Sequence, residues 1–474
     1  MRKTITIDPV TRIEGHARVF IQVDDAGQLE SAGLVVNELR GFERILIGME
    51  ADRMPLVTAR ICGVCPAAHH LAATNALDNA ARVEPPPAAR LLRELLYMGH
   101  LVHSHSLSLF VLQGPDLILG PDADPAARNV VGIVQANPEL AKMALRCRSL
   151  GQKIGEMIGG RGTHPITSVA GGITFRLDAE KARLLASWAD EIQVLVRQLV
   201  PVAKDFLLRR LEQYPLFLSD WVVPAWSLGT VQGDTLSLLE GQLRAVDAQG
   251  ETQAQFATPE YDQYLTESAL EYSYMKPVGF RHDGQVHDYR VGPLARLTVA
   301  SSYGTPLADQ ELASFRALAG NPSHALVLQT YARVIELLYA AERAGQILQD
   351  PGLHGESRAP ANYLGNRGVG HVEAPRGTLI HDYEIDEAGR ISAANLIVAT
   401  QQNYALINQM ISLAAAGCVV DKSDDEVLLN GVEFAIRCFD PCLSCATHAL
   451  GAMPLEVHLR HGASTLRVVR RSAV

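Results

Sequence analysis

Two short stretches do most to fix what this chain can fold into. "RICGVCPAAHH" at 60–70 and "DPCLSCATH" at 440–448 each hold two cysteines three apart, followed by histidine. Cysteines at that spacing, on a turn entering a helix, can aim both sulfurs at one point. Cys62, Cys65, Cys442 and Cys445 together would supply four thiolates, and any site they share ties the two ends of the chain together. Four soft sulfur donors suit zinc, an iron–sulfur cluster or another thiophilic metal. A closed structural zinc site is the simplest of these. Zinc ribbons, however, set their pairs ~15–20 residues apart, and here nearly the whole chain lies between. Arg60, His69, Asp440 and His448 in the flanks are also groups that a closed knuckle does not need. A thioredoxin-like dithiol would call for a βαβ surround that neither pair has. Cys147, Cys418 and Cys438 have no partner at ligand spacing and read as small buried hydrophobes.

At 474 residues the chain exceeds one ordinary core, so two or three domains or one large elaborated core are expected. Its net charge is −10 and it has no Lys/Arg run, which argues against nucleic acid or an acidic membrane as partner. No apolar run reaches the ~18–20 residues of a membrane span. The N-terminus "MRKTITIDPVTRIEGH" lacks the apolar stretch of a secretion signal. Seven cysteines make no disulfide scaffold, so a reducing, cytoplasmic home is expected.

Alternation over residues 3–48, with a hairpin around Asp24–Gly27, predicts a β-rich start. Helical patterning follows from Ala68 to Ala81 and through "EPPPAARLLRELLYMGHLVHSHSLSLFVLQ", whose prolines sit where a helix begins. Asn137 and Asp178 read as caps of two more helices. Strand-forming residues rise between about 214 and 305, and helical patterning returns over 307–348, 401–416 and 424–437. The expected fold class is α+β, predominantly α. A large helical-bundle core carries a β-rich region at 1–50 and a mixed insertion at about 214–305, with both chain ends at the metal site.

With its flanks included, the chain resembles the catalytic large subunit of nickel–iron hydrogenases. "RICGVCPAAHH" looks like that family's first signature, R-x-C-G-x-C-x-x-x-H, and "DPCLSCATH" like its last, D-P-C-x-x-C-x-x-H. "DPVTRIEGH" at 8–16, "RGFE" at 40–43, "YRVGPLAR" at 289–296 and "VEAPRGTL" at 372–379 extend the likeness. The closest likeness is to the cytoplasmic, bidirectional, NAD-linked branch. The related quinone-reductase-type subunits share the ancestry but lack the four cysteines.

The resemblance implies a nickel ion held by the four cysteines, with Cys65 and Cys445 bridging to an iron that carries cyanide and carbon monoxide. It implies that Glu14 is a proton gate, against the plainer reading of a carboxylate paired with Arg12. It places Arg376, Pro375 and Asp440 above the metal pair and Thr400 against a cyanide. His69 orients a thiolate, and His70 packs or lies at the surface. Ser104 stands where well-studied members have an aspartate, and Ala399 where they have a proline. Glu43, the Leu396 carbonyl and His448 would hold a magnesium (or iron) ion. Residues 1–448 form the catalytic domain, and 449–474 would be removed by an endopeptidase that cuts between His448 and Ala449 after nickel insertion. A chain that keeps this tail, read as a β-hairpin around "HGAS", is expected to be an unprocessed precursor, in which nickel need not be present. The chain has no further cysteine set for an electron wire, and "GNRGVG" at 365–370 is no dinucleotide fingerprint. The implied partners are therefore a diaphorase with flavin and NAD, nickel/iron maturation proteins, and an iron–sulfur small subunit.

Overall fold

The computed structural model describes residues 3–26, 28–39, 41–420, 425–447, 455–461 and 464–471. Its core is built on helices whose starts the sequence marks. The helix Pro138–Gly159 is capped by Asn137, whose side chain accepts from the Leu140 amide. The helix Ala179–Gln213 is capped in the same way by Asp178, which accepts from Lys181. The helix Pro87–Leu107 begins on a proline, whose missing N–H costs nothing there. It crosses Pro138–Gly159 at two glycines. A Cβ on Gly99 would lie 2.8 Å from the Gly151 carbonyl, and one on Gly151 would lie 2.6 Å from the Gly99 carbonyl. Only hydrogen at both positions lets the backbones approach this closely. By length and composition the stretch Pro87–Leu112 could cross a membrane, but 78% of its apolar window is buried inside the protein. It is the central core helix, packed also against Gln329–Gln349.

The N-terminal strands Lys3–Ile7, Arg18–Val23 and Leu29–Val35 form an antiparallel sheet in sequence order. Asp24 organises the predicted turn, its carboxylate accepting from the amides of Ala26 and Gln28. The expected insertion is a five-stranded sheet built on Trp226–Gln232, Gln242–Val246 and Thr252–Phe256, with Tyr289–Arg290 added in parallel, beside a smaller three-stranded sheet. The tail pairs as an antiparallel hairpin, Leu455–His461 with Ser464–Arg471, as its alternation predicts.

One sheet was not legible in the sequence. Arg367–Ala374, Gly377–Ile385 and Ile391–Ile397 form an antiparallel meander. The first two strands are buried on both faces, so the period-2 polar alternation that signals a strand is absent. Its first hairpin pairs Ala374 with Gly377 and leaves Pro375 and Arg376 at the tip. Gly377 has φ +136°, and a Cβ there would lie 2.7 Å from the Gly292 nitrogen; a Cβ on Gly292, at φ +101°, would lie 2.6 Å from the Arg376 carbonyl. The conspicuous "VGPLAR" and "PRG" stretches are thus the two sides of one glycine–glycine contact.

Behind this tip lies a buried ion network. Arg296 grips Glu336 with two hydrogen bonds of 2.6 and 2.8 Å, reaches Glu373 at 3.0 Å, and donates to the Ala374 carbonyl at 2.9 Å. His105 meets the same Glu336 at 2.8 Å. Burial alone would raise the Glu336 carboxyl, but Arg296 and His105 outweigh it and hold it at about 2. Its contribution to stability is therefore complete above the ordinary carboxylate range and lost as pH falls from about 4 to about 2. Replacing Arg296 by Gln strands two buried carboxylates. A loss of about 3–5 kcal/mol is expected, read as a lowered urea midpoint at neutral pH.

Candidate metal centre

The four cysteines meet at one buried point. Cys62 leaves a short helical turn in extended conformation, and Cys65 directly precedes the helix Pro66–Ala81. Cys442 directly precedes, and Cys445 lies within, the short helix Leu443–Ala446. The Sγ–Sγ distances are 3.0 Å for Cys62–Cys442, 3.0 Å for Cys442–Cys445, 3.2 Å for Cys65–Cys445 and 3.8 Å for Cys65–Cys442. Every pair lies within 4.8 Å. Bonds of ~2.3 Å to one ion would place thiolates at separations of roughly 3–4 Å, so the cluster is at metal-binding size. The Cys442 hydrogen bond pulls the Cys62 thiol down, while burial pushes Cys442 and Cys445 up.

Above the sulfurs, Arg376 donates to the Asp440 carbonyl at 2.6 Å and to its carboxylate at 3.0 Å. Burial would lower this guanidinium, but Asp440 and the neighbouring cysteines raise it overall, so it stays charged. Arg376 Nη1 and Asp440 Oδ2 are buried without a hydrogen-bond partner. Thr400 accepts from the Cys442 amide at 2.9 Å, and its own hydroxyl hydrogen is left available to a ligand. A small cavity lies along this side, walled by Cys65, Cys442, Cys445, Pro375, Arg376 and Thr400. Cys62 is not part of that wall. His69 places Nε2 3.3 Å from the Cys445 sulfur.

Glu14 is not paired with Arg12. Arg12 instead grips Asp116 with both terminal nitrogens, at 2.8 and 2.7 Å. The Glu14 carboxylate accepts from the Ser444 amide at 3.0 Å, and its carbonyl accepts from Leu443 at 3.2 Å. The N-terminal segment is thereby stitched to the second cysteine pair, and Gly15, at φ +82°, is the residue that lets it run against Leu443. Glu43 accepts from the Leu396 amide at 2.8 Å, so the described contact uses the Leu396 N–H, whereas its carbonyl was the expected metal ligand. His448 and Ala449 lie outside the described residues. His70 is buried, its Nδ1 2.9 Å from the Pro55 carbonyl and its Nε2 accepting from Ser168 at 3.0 Å, so it is structural and not at the surface. Ser104 is fully buried and its hydroxyl has no partner. Cys147 and Cys438 are buried as expected, and the Cys418 side chain lies outside what the structure describes.

Four neighbours escaped the sequence reading. Arg333 is fully buried, donates to the Cys438 carbonyl at 2.7 Å and lies 3.9 Å from the Asp440 carboxylate. His100 is buried with Nε2 unpartnered, and burial, His103 and Arg376 lower it to about 3. His381 and Tyr383 stand behind His69. Arg333 was detectable in principle, as a charge on a helix buried all round.

Thiolates at metal-binding spacing with a cavity along one edge match a metal site that keeps an open position, whereas structural sites are closed. Comparison with known proteins carries this to a family. A model described as "Nickel-dependent hydrogenase" matches residues 40–137 and 235–448, and one described as "HoxL-like" matches 4–39. A component of the F420-non-reducing hydrogenase vhu of Methanococcus voltae is 39% identical, over 87% of this chain and 98% of its own. The beta subunit of the NAD-reducing hydrogenase HoxS of Cupriavidus necator is 37% identical over 98% and 99%. The crystal structure of an H2-reduced NAD+-reducing [NiFe]-hydrogenase superposes with a TM-score of 0.90 at 38% identity, covering 94% of this chain and 99% of that one. The chain belongs to the nickel-dependent hydrogenase family, as a catalytic large subunit of the [NiFe] type, an oxidoreductase acting on H2.

The tip that carries Arg376 depends on Gly377. Gly377→Ala forces a side chain into the Gly292 backbone at an unfavourable φ. A destabilisation of about 1–3 kcal/mol is expected, together with reduced H2 oxidation, checked by thermal melting and by activity in the assembled enzyme.

Proposed function

We propose that this chain interconverts H2 with protons and electrons by heterolytic cleavage, at a nickel held by Cys62, Cys65, Cys442 and Cys445. Cys65 and Cys445 would also hold an iron that carries carbon monoxide and cyanide. The observation that carries this reading is the convergence of both cysteine pairs within 4.8 Å, with the cavity on the Cys65–Cys445 side. The donor set fits the group. Arg376 Nη1 is an orphaned donor, and the Thr400 hydroxyl retains a hydrogen; both suit small anionic ligands on iron. When bound, the centre supplies a place for H2 to be polarised and split. Arg376, always protonated, polarises the open site, and Asp440 fixes its direction.

The released proton needs a base, and Glu14 fills that role. It is anchored on the segment between Cys442 and Cys445 and remains partly exposed, so it joins the thiolates to the outside. A magnesium ion at Glu43, Leu396 and His448 would close the C-terminal side, its oxygen and water ligands being those such an ion prefers. Electrons leave through an iron–sulfur small subunit; among the described residues the remaining cysteines, Cys147 and Cys438, are buried and form no further metal-binding group. The names of the HoxS relative and of the NAD+-reducing structure support NAD as final acceptor; on this reading electrons would reach it through a separate flavin-bearing diaphorase in the cytoplasm. The vhu relative favours a second reading, a different acceptor for the same catalytic chain. Cleavage after His448 by an endopeptidase, following metal insertion, would leave 1–448 as the mature catalytic domain.

Metal analysis of the assembled enzyme tests the centre: nickel and iron in equal amounts are expected, and zinc alone would overturn it. Cys62→Ser is expected to abolish activity. Glu14→Gln keeps the Ser444 contact but cannot carry a proton. H2/D+ exchange is expected to fall by on the order of 10²–10⁴-fold, and exchange at the normal rate would remove Glu14 from the path.

A further inference from the structure

An unbroken line of side chains runs from Cys445 into the core. His69 Nε2 lies 3.3 Å from the Cys445 sulfur, His69 Nδ1 lies 3.1 Å from His381 Nε2, and His381 Nδ1 lies 2.6 Å from the Tyr383 hydroxyl. All four residues are buried, His381 and Tyr383 completely. The nearby Thr58 hydroxyl donates to the Met54 carbonyl at 2.7 Å.

Counting hydrogens fixes the direction of this line once Cys445 is a metal-bound thiolate. A thiolate only accepts, so His69 must carry its hydrogen on Nε2. A neutral imidazole has one N–H and one bare nitrogen, so His69 Nδ1 is bare and takes a hydrogen from His381 Nε2. His381 Nδ1 is then bare in turn and takes the O–H of Tyr383. The phenol has a single hydrogen, and His381 Nδ1 is the partner that takes it. A stronger or weaker phenol donor therefore strengthens or weakens each hydrogen bond along the line, down to the one on sulfur. An outer hydrogen bond that orients the inner group is a recurrent means of tuning a metal ligand.

We propose that Tyr383 is a positioning residue that acts through His381 and His69 to set the strength of the hydrogen bond on the bridging thiolate of Cys445, and so the electron density at the metal pair. This rests on the [NiFe] reading above. A stronger donor on the sulfur withdraws charge from iron and weakens back-donation to carbon monoxide, which raises the CO stretching frequency. The tyrosine is a feature of the buried sheet, one position beyond Asp382, whose carboxylate instead faces Arg367.

The test is infrared spectroscopy of the metal-loaded enzyme assembled with its partner subunits. Tyr383→Phe removes the donor, and the CO band is expected at lower wavenumber. 3-Fluorotyrosine in place of Tyr383 keeps the shape with a more acidic phenol, and the band is expected at higher wavenumber. Opposite shifts are not what a packing role would give. If the Phe variant fails to assemble, the near-isosteric fluorotyrosine enzyme decides alone, a higher CO wavenumber supporting the proposal. Bands that coincide with wild type, or that move the same way in both variants, overturn it. Absence of CO and cyanide bands from the wild-type enzyme would instead overturn the [NiFe] reading.

Discussion

Four sulfurs held at one buried point set the terms for everything around them. As thiolates they repel one another, and at these separations a low dielectric leaves that repulsion largely unscreened. The surroundings offset it from several directions. Arg376 brings a fixed positive charge, His69 a hydrogen bond to Cys445, and the Val64 amide a bond to the Cys62 sulfur at 3.2 Å. A metal ion completes the balance, which is why the site reads as a place for one.

The groups that provide this compensation are themselves held by rigid parts. Arg376 rides on a two-residue hairpin tip clamped against Gly292, and the carbonyls just before it are held by Arg296. Arg296 is in turn locked to Glu336 and Glu373 inside the core. The Arg376 side chain therefore has little freedom to rearrange, as a preorganised electrostatic site requires. The cost is a core that contains buried ions, each tolerable only while its partners stay in place.

Much of this was legible beforehand, and the exceptions share a cause. Asn137 and Asp178 announced their helices because capping chemistry is local. The cysteine pairs announced a metal because ligand spacing is local too. The meander from Arg367 to Ile397 was hidden because burial on both faces erases alternation. Arg333, His381 and Tyr383 were hidden because their roles depend on which distant residue they meet. Glu14 was singled out through the likeness of its motif to a family, and the plainer alternative, a pair with Arg12, is not what the structure holds, since Arg12 serves Asp116. The histidines that sequence left as packing or second-line residues turned out to differ sharply. His70 is tied off between two backbone groups, while His69 opens a path to the core.

The stitch between Glu14 and the segment at Cys442 has a consequence for how the fold is held closed. Cys62 and Cys442 are separated by 380 positions, and bringing such distant points together carries an entropic cost that grows with the logarithm of the loop. Hydrogen bonds from one strand of backbone are modest compensation. An ion gripping all four sulfurs would tie almost the entire chain together, adding its binding free energy to folding because the unfolded chain holds no such site. In mechanical terms such a metal would be the clasp of the polypeptide as well as its reactive centre, and emptying the site would slacken the whole circuit of chain between the two cysteine pairs.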